Sequence, residues 1–221
     1  MIIAIDGPSG VGKGTVARAV ADALGFRHVD TGSMYRGVAW RVLHDQVPLD
    51  DEAAVTALAE RLVIEKGGGG VRVDGVDVTA AIRNPEIDRT AARVARVPGV
   101  RAALVALQRR IGSAGGLVME GRDIGTVVFP DAPVKIYLDA SSEERARRRL
   151  LDAAHSGPRD AAQVASELAA RDQSDRTRAV APLAVAPDAH VIDTTGVPVD
   201  EVVAQVLALV SAAQGRAELR P

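Results

Sequence analysis

The sequence contains no cysteine. This absence excludes disulfide bonds, thiolate metal sites and thiol catalysis, and it fits a chain that works in a reducing compartment. The histidines are few, and their spacing is not that of metal ligands, so we expect structural or surface roles for them. They are His28, His44, His155 and His190.

Long apolar runs are also missing. No stretch reaches the roughly 18 apolar residues that a membrane-spanning helix needs. The apolar start of the chain ends at Asp6, which is not the pattern of a secretory signal peptide. We therefore expect a cytoplasmic protein without a membrane partner.

Lysine is scarce, since only Lys13, Lys66 and Lys135 are present. Arginine therefore supplies nearly all of the positive charge, and its planar guanidinium group is the better bidentate ligand for phosphate. The formal net charge is only −2, whereas nucleic-acid-binding domains are usually basic. Any anion site should therefore be local, and we expect no nucleic-acid partner.

The 221 residues are enough for one main domain with a small insert. Short apolar runs alternate with segments of helical periodicity, which favours an α/β fold with a doubly wound parallel sheet. The predicted strands are residues 1–5, 27–29, 117–119, 134–138 and 190–193. The predicted helices are residues 15–24, 33–44, 85–97, 99–111, 143–153, 160–172 and 199–210, with a frayed tail from Ser211.

Two segments depart from this alternation. Between residues 62 and 78, short alternating runs broken by glycines predict a small antiparallel insert. Ser141 and Glu144 form a capping box before an arginine-rich helix, and residues 155–158 (H-S-G-P) then interrupt the helical pattern.

Polar residues follow several of the predicted strands. In parallel α/β sheets ligands bind outside the carboxyl ends of the strands, so these positions are where we expect chemistry. The residues are Asp6, Asp30, Glu120 and Asp139.

A glycine-rich turn connects the first predicted strand to the first helix and fits the phosphate-binding pattern G-x-x-x-x-G-K. In such a loop the backbone N–H groups and the helix N-terminus bind an anion, and the lysine reaches the β- and γ-phosphates. The loop residues, which we expect to bind ATP, are Gly7, Pro8, Ser9, Gly10, Val11, Gly12, Lys13, Gly14 and Thr15.

Gly14 departs from the common form of this loop, in which a serine or threonine after the lysine binds magnesium. The form G-x-x-G-x-G-K-G-T resembles the nucleoside monophosphate kinases. That resemblance implies Mg²⁺ that relies mainly on ATP and water, so no protein metal ligand is assigned. The role of the Thr15 hydroxyl stays open.

Four further segments, taken together, resemble the bacterial cytidylate kinases. The similarity extends from residue 2 to about residue 210 and implies a kinase that transfers the γ-phosphoryl group of ATP to CMP or dCMP. The segments are D-T-G-S-M-Y-R (30–36), E-G-R-D-I-G-T-V-V-F-P (120–130), V-K-I-Y-L-D-A (134–140) and R-D-Q-S-D-R-T-R (171–178), which continues into A-P-L (181–183).

The resemblance also implies where CMP binds. In the family, Arg36 and Arg122 correspond to arginines that hold the CMP phosphate with help from the hydroxyl of Thr31, a role that suits guanidinium groups. Asp123 and Arg101 correspond to the residues that bind cytosine, since a carboxylate accepts from N4 and arginine donates to O2 and N3.

Arg171 and Asp175 correspond to residues that bind the sugar hydroxyls, and Arg178 should point toward the transferring phosphate or the base. Tyr35 belongs to the first matching segment and completes the implied CMP site. The implied catalytic residues are Lys13, Arg122 and Arg178.

Each assignment has a simpler alternative. Arg36 taken alone would be a solvated helix residue, and Asp123 would be a partner of Arg122. Arg171 and Asp175 would form an ordinary i, i+4 ion pair, worth only about 0.3–0.5 kcal/mol.

The family pattern further implies a core (residues 1–61, 114–142 and 183–214), a CMP-binding insert (about 62–113) and a lid (about 143–182) in a monomer. The lid segment contains several arginines, of which Arg148 is the one expected to bind ATP. These arginines are Arg145, Arg147, Arg148 and Arg149.

Two other functions compete with this interpretation. One is a kinase for another small acceptor such as UMP or shikimate, and the other is a nucleotide-sensing module, since a phosphate loop alone shows only binding. The chain lacks the guanine-binding motif N-K-x-D, which argues against a guanine-nucleotide switch.

The chain also departs from the family at Ala92, where cytidylate kinases usually have a serine that helps bind cytosine.

Overall fold

The computed structural model describes residues 1–67, 70–152 and 160–218. The strands in these ranges are β1 (Ile2–Asp6), β2 (Arg27–Asp30), β3 (Ile64–Gly67), β4 (Gly70–Val73), β5 (Val76–Asp77), β6 (Leu117–Gly121), β7 (Val134–Asp139) and β8 (His190–Asp193). The helices are α1 (Lys13–Leu24), α2 (Thr31–His44), α3 (Glu52–Arg61), α4 (Pro85–Val94), α5 (Pro98–Gly112), α6 (Ser142–Leu151), α7 (Ala161–Thr177) and α8 (Val199–Glu218). None of the helices in the described ranges combines the length and apolar character needed to cross a membrane.

The larger sheet has five parallel strands in the order β2-β6-β1-β7-β8. Successive side chains of a strand point to opposite faces, so β1 contributes to two apolar clusters. Ile3 and Ile5 pack with α1 and α8 on one face. Ala4 packs on the other face in a cluster that includes α2, α3, α4 and α5. Helices therefore cover both faces, which confirms the predicted doubly wound α/β class.

The smaller sheet is antiparallel, in the order β3-β4-β5, and lies within the segment predicted as an antiparallel insert. Its buried residues Val71 and Val73 belong to the same apolar cluster as the helices beside the larger sheet. Gly37 lets β4 approach α2, because a Cβ there would lie 3.1 Å from Val73. Helix α3 was not predicted, although Asp51 caps it by accepting a hydrogen bond from the Ala54 N–H group at 2.9 Å.

The helix boundaries differ from the predictions mainly at the carboxyl ends. Half of the predicted capping box is formed, since Ser141 Oγ accepts from the Glu144 N–H group at 3.2 Å, whereas the Ser141 N–H group donates to Thr195 Oγ1 at 2.9 Å. Helix α7 continues to Thr177, beyond the predicted end. The predicted fraying from Ser211 is wrong, because α8 runs to Glu218 and buries Ala213. His155 and the predicted break at residues 155–158 lie outside the described residues.

A π-helical turn, Ile124–Val128, follows β6 and was not predicted. The carboxylate of Asp6, at the end of β1, accepts hydrogen bonds from the N–H groups of Ile124 (2.9 Å) and Gly125 (2.8 Å). Burial raises the pKa of Asp6 to about 6, and these two hydrogen bonds oppose that shift. Asp6 thereby fixes the turn that begins directly after Asp123.

We predict that Gly7→Ala destabilises the protein more than Gly25→Ala does. Both glycines have positive φ, +147° and +66°, but only at Gly7 would a Cβ meet backbone, 2.1 Å from the carbonyl oxygen of Leu138 in β7. We expect Gly7→Ala to lower the free energy of unfolding by more than about 2 kcal/mol and Gly25→Ala by about 1 kcal/mol. Urea unfolding measures both, and equal losses would show that the loop can move away from β7.

Candidate active site

The carboxyl ends of the parallel strands open onto a cavity of about 590 Å³, which we call the central cavity. The strand-end residues Asp6, Asp30, Glu120 and Asp139 lie at this edge of the sheet, as predicted. Basic side chains surround the central cavity. They include Lys13, Arg36, Arg122, Arg149 and Arg171.

Two further cavities adjoin the central one. The β8-side cavity, about 620 Å³, shares Gly10, Gly12, Thr15, Arg149 and Asp152 with it. Its other residues are Glu144, Arg147, Arg148, Thr194 and a mainly apolar group. The inner pocket, about 50 Å³, shares Gly121, Arg122 and Arg171 with the central cavity. Its other residues include Thr31, Tyr35, Ala92, Arg101, Asp123, Asp175 and Arg178. The glycine-rich loop therefore lies between two large cavities.

The loop presents unpaired backbone donors. Gly10 and Gly12 have φ of +84° and +89°, which glycine adopts without steric cost, and α1 begins at Lys13. Within the described part of the chain, the backbone N–H groups of residues 10–15 have no protein acceptor. Donors at a helix N-terminus in this arrangement form an anion-binding nest.

Three of the loop carbonyl groups, in contrast, are paired with cations. Lys13 Nζ donates to the Pro8 carbonyl at 2.6 Å, Arg145 donates to that of Ser9 at 3.2 Å, and Arg148 donates to that of Val11 at 3.1 Å. Both arginines come from α6. The carbonyl oxygens, which would repel a phosphate, are thus held by donors.

Lys13 is buried, with 7% of its surface exposed. Burial lowers its pKa to about 7, and the nearby positive charge of Arg122 adds to this effect. A phosphate at the loop would favour the ammonium form. The charge of Lys13 therefore depends on whether an anion is bound.

The structure explains why glycine occupies position 14. A Cβ there would lie 3.0 Å from Oε1 of Glu120, the same oxygen that lies 3.1 Å from Nε2 of His28. The Glu120 carboxylate thus fills the space where the common loop has a hydroxyl group. Thr15 is exposed.

Arg101 and Asp123 form a buried ion pair in the inner pocket, and the exposed fraction of the Arg101 side chain is only 2%. The guanidinium carbon of Arg101 also lies 5.7 Å from the centre of the Tyr35 ring. Nε and Nη1 of Arg101 are buried without a hydrogen-bond partner among the described residues. Buried donors of this kind are rare and need an explanation, such as a ligand that accepts from them.

Arg122 connects two parts of the site that the sequence separates. Its Nε donates to Asp175 Oδ2 at 2.9 Å, and its Nη2 donates to Ser9 Oγ at 2.7 Å. Burial lowers the pKa of Arg122, but Asp175 outweighs this and raises it above its ordinary value. The observed partner of Arg122 is Asp175 and not Asp123, so the simpler alternative for Asp123 is not what the structure shows.

Arg171 and Arg178 also line the inner pocket. Arg171 belongs to α7, and Arg178 is the residue directly after this helix. Arg171 lies 3.9 Å from Asp88, so its contact is not the i, i+4 pair with Asp175. Arg178 donates to the Ala181 carbonyl at 2.6 Å and lies 3.7 Å from both Asp123 and Asp175. Burial lowers the pKa of each arginine.

Asp88 on α4 is a site residue that the sequence did not indicate. It binds Arg149 of α6 at 2.5 Å and lies 4.0 Å from Arg36 of α2, which itself binds Asp30 at 2.8 Å. No motif marks Asp88, because its partners come from other helices.

The predicted residues thus fall into three groups. Most of the loop residues and the arginines predicted to bind phosphate, Arg36 and Arg122, line the central cavity, and the implied cytosine and sugar residues line the inner pocket. Arg148 lies apart in the β8-side cavity, where it donates to the Thr194 carbonyl at 2.6 Å. Thr31 donates its hydroxyl to the Glu120 carbonyl at 2.7 Å.

Comparisons with known proteins agree with one family. The sequence profile of the family described as cytidylate kinase matches residues 3–212. Cytidylate kinases from Pelotomaculum thermopropionicum and Desulfitobacterium hafniense are 49% and 48% identical, over 98% and 94% of this chain and 97% and 91% of their own. A gluconokinase structure from Sinorhizobium meliloti has the same fold at 18% identity, with a TM-score of 0.51 over 99% of this chain and 97% of its own. On the profile match and the curated relatives, the chain belongs to the cytidylate kinase family.

Proposed function

We propose that the protein transfers the γ-phosphoryl group of ATP to CMP or dCMP and releases ADP with CDP or dCDP. The observation that carries the proposal is one cavity shared by two anion sites. The unpaired N–H groups of the loop and Lys13 line one side of the central cavity, and Arg36, Arg122 and Arg171 line the other. Two phosphates brought there would meet.

Phosphoryl transfer needs positioning and charge stabilisation more than covalent chemistry. The CMP phosphate is an anionic nucleophile, so no general base is required. We assign Lys13, Arg122 and Arg178 to the charge that develops on the transferred group. Arg36 holds the acceptor phosphate, and Thr31 would help once its hydroxyl donates to that phosphate and not to the Glu120 carbonyl.

The inner pocket suits cytosine. Asp123 can accept from the N4 amino group, while Nε and Nη1 of Arg101 can donate to O2 and N3. Uracil would place an oxygen against the Asp123 carboxylate and lose affinity, because two acceptors would face each other. Arg171 and Asp175 would bind the sugar, and Tyr35 forms part of the wall.

ATP would place its base beyond the loop. The β8-side cavity has apolar residues, Val197, Pro198 and Val202, that suit an adenine ring, and Arg148 lies at its loop side. We propose that residues 62–113 and 143–182 close over the two nucleotides and exclude water. The partners we assign are ATP and CMP or dCMP, and a monomeric cytoplasmic enzyme remains our expectation.

Mg²⁺ would accompany ATP. Among the described residues there is no group of three or more histidine, aspartate or glutamate side chains that could hold a metal ion, but Glu120 is a buried carboxylate beside the loop. These residues would suit an ion that is held mainly by ATP oxygens and water, and the Glu120 carboxylate and the Thr15 hydroxyl would be available to bind that water. The ion would neutralise phosphate charge.

ADP production tests the proposed function directly. We expect ADP to form from ATP with CMP or dCMP, less with UMP, and much less with shikimate or no acceptor. We also expect Lys13→Ala to lower turnover at least about 100-fold, because it removes a positioned charge from the transition state. Near-normal turnover in a folded Lys13→Ala protein, or an equal rate without CMP, would contradict the proposal.

The lowered pKa of Lys13 predicts a pH dependence of ATP binding. Its ammonium form is present below pH 7 and is lost as the pH rises through about 7 in the free protein, whereas bound phosphates raise the pKa again. The dissociation constant of Mg-ATP should therefore increase above pH 7, by up to about tenfold for each pH unit.

Calorimetry between pH 6.5 and 8.5 measures this constant, and Lys13→Met is the matched control because it cannot titrate. A constant that does not change with pH in the unmodified protein would show that Lys13 keeps its charge without a ligand.

Because position 92 is alanine and offers no hydroxyl group to the base, we expect modest discrimination between CMP and UMP. Ala92 lines the inner pocket beside Arg101 and Asp123, where a hydroxyl could reach the base. One neutral hydrogen bond is worth about 0.5–1.5 kcal/mol, so Ala92→Ser should raise the ratio of kcat/KM for CMP to that for UMP about three- to tenfold.

The exposed Ala53 on α3 provides the control substitution, Ala53→Ser, which should leave the ratio unchanged. An unchanged or lower ratio in a stable Ala92→Ser protein would show that position 92 does not contact the base.

A further inference from the structure

Ser9 in the glycine-rich loop is bound by three different parts of the chain. Its N–H group donates to Asp172 Oδ1 at 3.1 Å, its carbonyl accepts from Arg145 at 3.2 Å, and its hydroxyl accepts from Arg122 at 2.7 Å. Ser9 is 8% exposed and Asp172 is 3% exposed. Hydrogen bonds to buried charged groups are among the stronger ones in proteins, so this peptide has a fixed position.

Asp172 and Arg145 also bind each other, which joins α7 to α6 at the loop. The backbone of α6 is close as well, because a Cβ on Gly10 would lie 3.2 Å from the carbonyl oxygen of Arg145. The loop therefore cannot shift toward α6. Any movement of α6 and α7 away from the loop would break the hydrogen bonds to Ser9.

Helix α7 also contributes to the acceptor side of the site. Arg171 precedes Asp172 directly, and Asp175, three residues later, binds the same Arg122 that donates to Ser9. Two connections thus run from Ser9 to α7, one direct through Asp172 and one through Arg122 and Asp175. Arg171, Arg122 and Asp175 all line the inner pocket.

We propose that Asp172 is a positioning residue that couples the nucleotide sites on the two sides of the loop. The inference rests on the proposed function, since it takes the loop as the ATP site and the inner pocket as the CMP site. CMP holds α7 in the position from which Asp172 binds the Ser9 N–H group, and this fixes the loop for ATP. Because such coupling is reciprocal, ATP also strengthens CMP binding.

Binding of CMP with and without a non-hydrolysable ATP analogue and Mg²⁺ measures the coupling. In the unmodified protein we expect the analogue to lower the dissociation constant of CMP about fivefold or more. In Asp172→Asn, which keeps an oxygen but loses the charge that holds Arg145, we expect this factor to fall toward one. Glu167→Gln, an exposed change of the same charge on α7, is the control and should keep the unmodified factor.

The outcomes separate the coupling from the function. If the unmodified protein phosphorylates CMP but the ATP analogue does not change its affinity for CMP, the role of Asp172 is overturned and the proposed function stands. The same conclusion follows if Asp172→Asn keeps the full effect of the analogue on CMP binding. Failure to bind or phosphorylate CMP would instead overturn the function.

Hydrogen exchange in the unmodified protein gives a second measurement, which does not depend on the variant folding. CMP alone should slow exchange of the Ser9 N–H group, because it holds the hydrogen bond to Asp172 closed. Unchanged exchange at Ser9 with CMP at saturation would contradict the proposal.

Discussion

Guanidinium groups that share one cleft repel each other, and in this protein buried carboxylates from several elements hold them in place. Asp123 binds Arg101, Asp175 binds Arg122, and Asp172 binds Arg145. Asp88 does the same for Arg149. Without Asp123, Arg101 would be an uncompensated buried charge, which costs several kcal/mol by general estimates. The other three arginines are partly buried and would lose their nearest counter-charges. The carboxylates therefore make it possible to store positive charge at the ends of the strands before a nucleotide arrives.

The same pairing allows an exchange of partners. A phosphate that enters the central cavity can replace a carboxylate as the partner of an arginine, so binding need not desolvate bare charges. The loop differs, because the N–H groups of residues 10–15 have no protein acceptor in the described residues and are ready for an anion. Lys13 lies between these two cases. Its pKa of about 7 means that it is only partly protonated at neutral pH, and a bound phosphate would favour its charged form.

Much of this arrangement could be predicted from local sequence. The loop is a continuous motif between a strand and a helix, and the strands of the larger sheet are short apolar runs, so both are visible without tertiary information. The base and sugar residues were assigned from family resemblance, and the structure places Arg101, Asp123, Asp175 and Arg178 around one pocket. Their individual roles remain predictions.

Other features depend on contacts between distant segments. The π-helical turn after β6 forms because Asp6, more than a hundred residues earlier, accepts from two of its N–H groups. The roles of Asp88 and Asp172 arise from arginines on other helices. The carboxyl end of α8 is held in place because Ala213 packs in an apolar cluster beside the larger sheet. Ala213 lies beyond residue 210, where the sequence pattern predicted the end of this helix.

Under the proposed function, a donor and an acceptor nucleotide bind on either side of the loop, and their phosphates meet in the central cavity. The most direct test is the affinity of adenosine and cytidine joined through their 5′ positions by a pentaphosphate chain. One molecule that fills both sites should bind at least about 100-fold more tightly than ATP or CMP alone, since the second contact becomes intramolecular. Binding no tighter than that of ATP would rule out this arrangement, because it would mean that the two sites do not share the cavity.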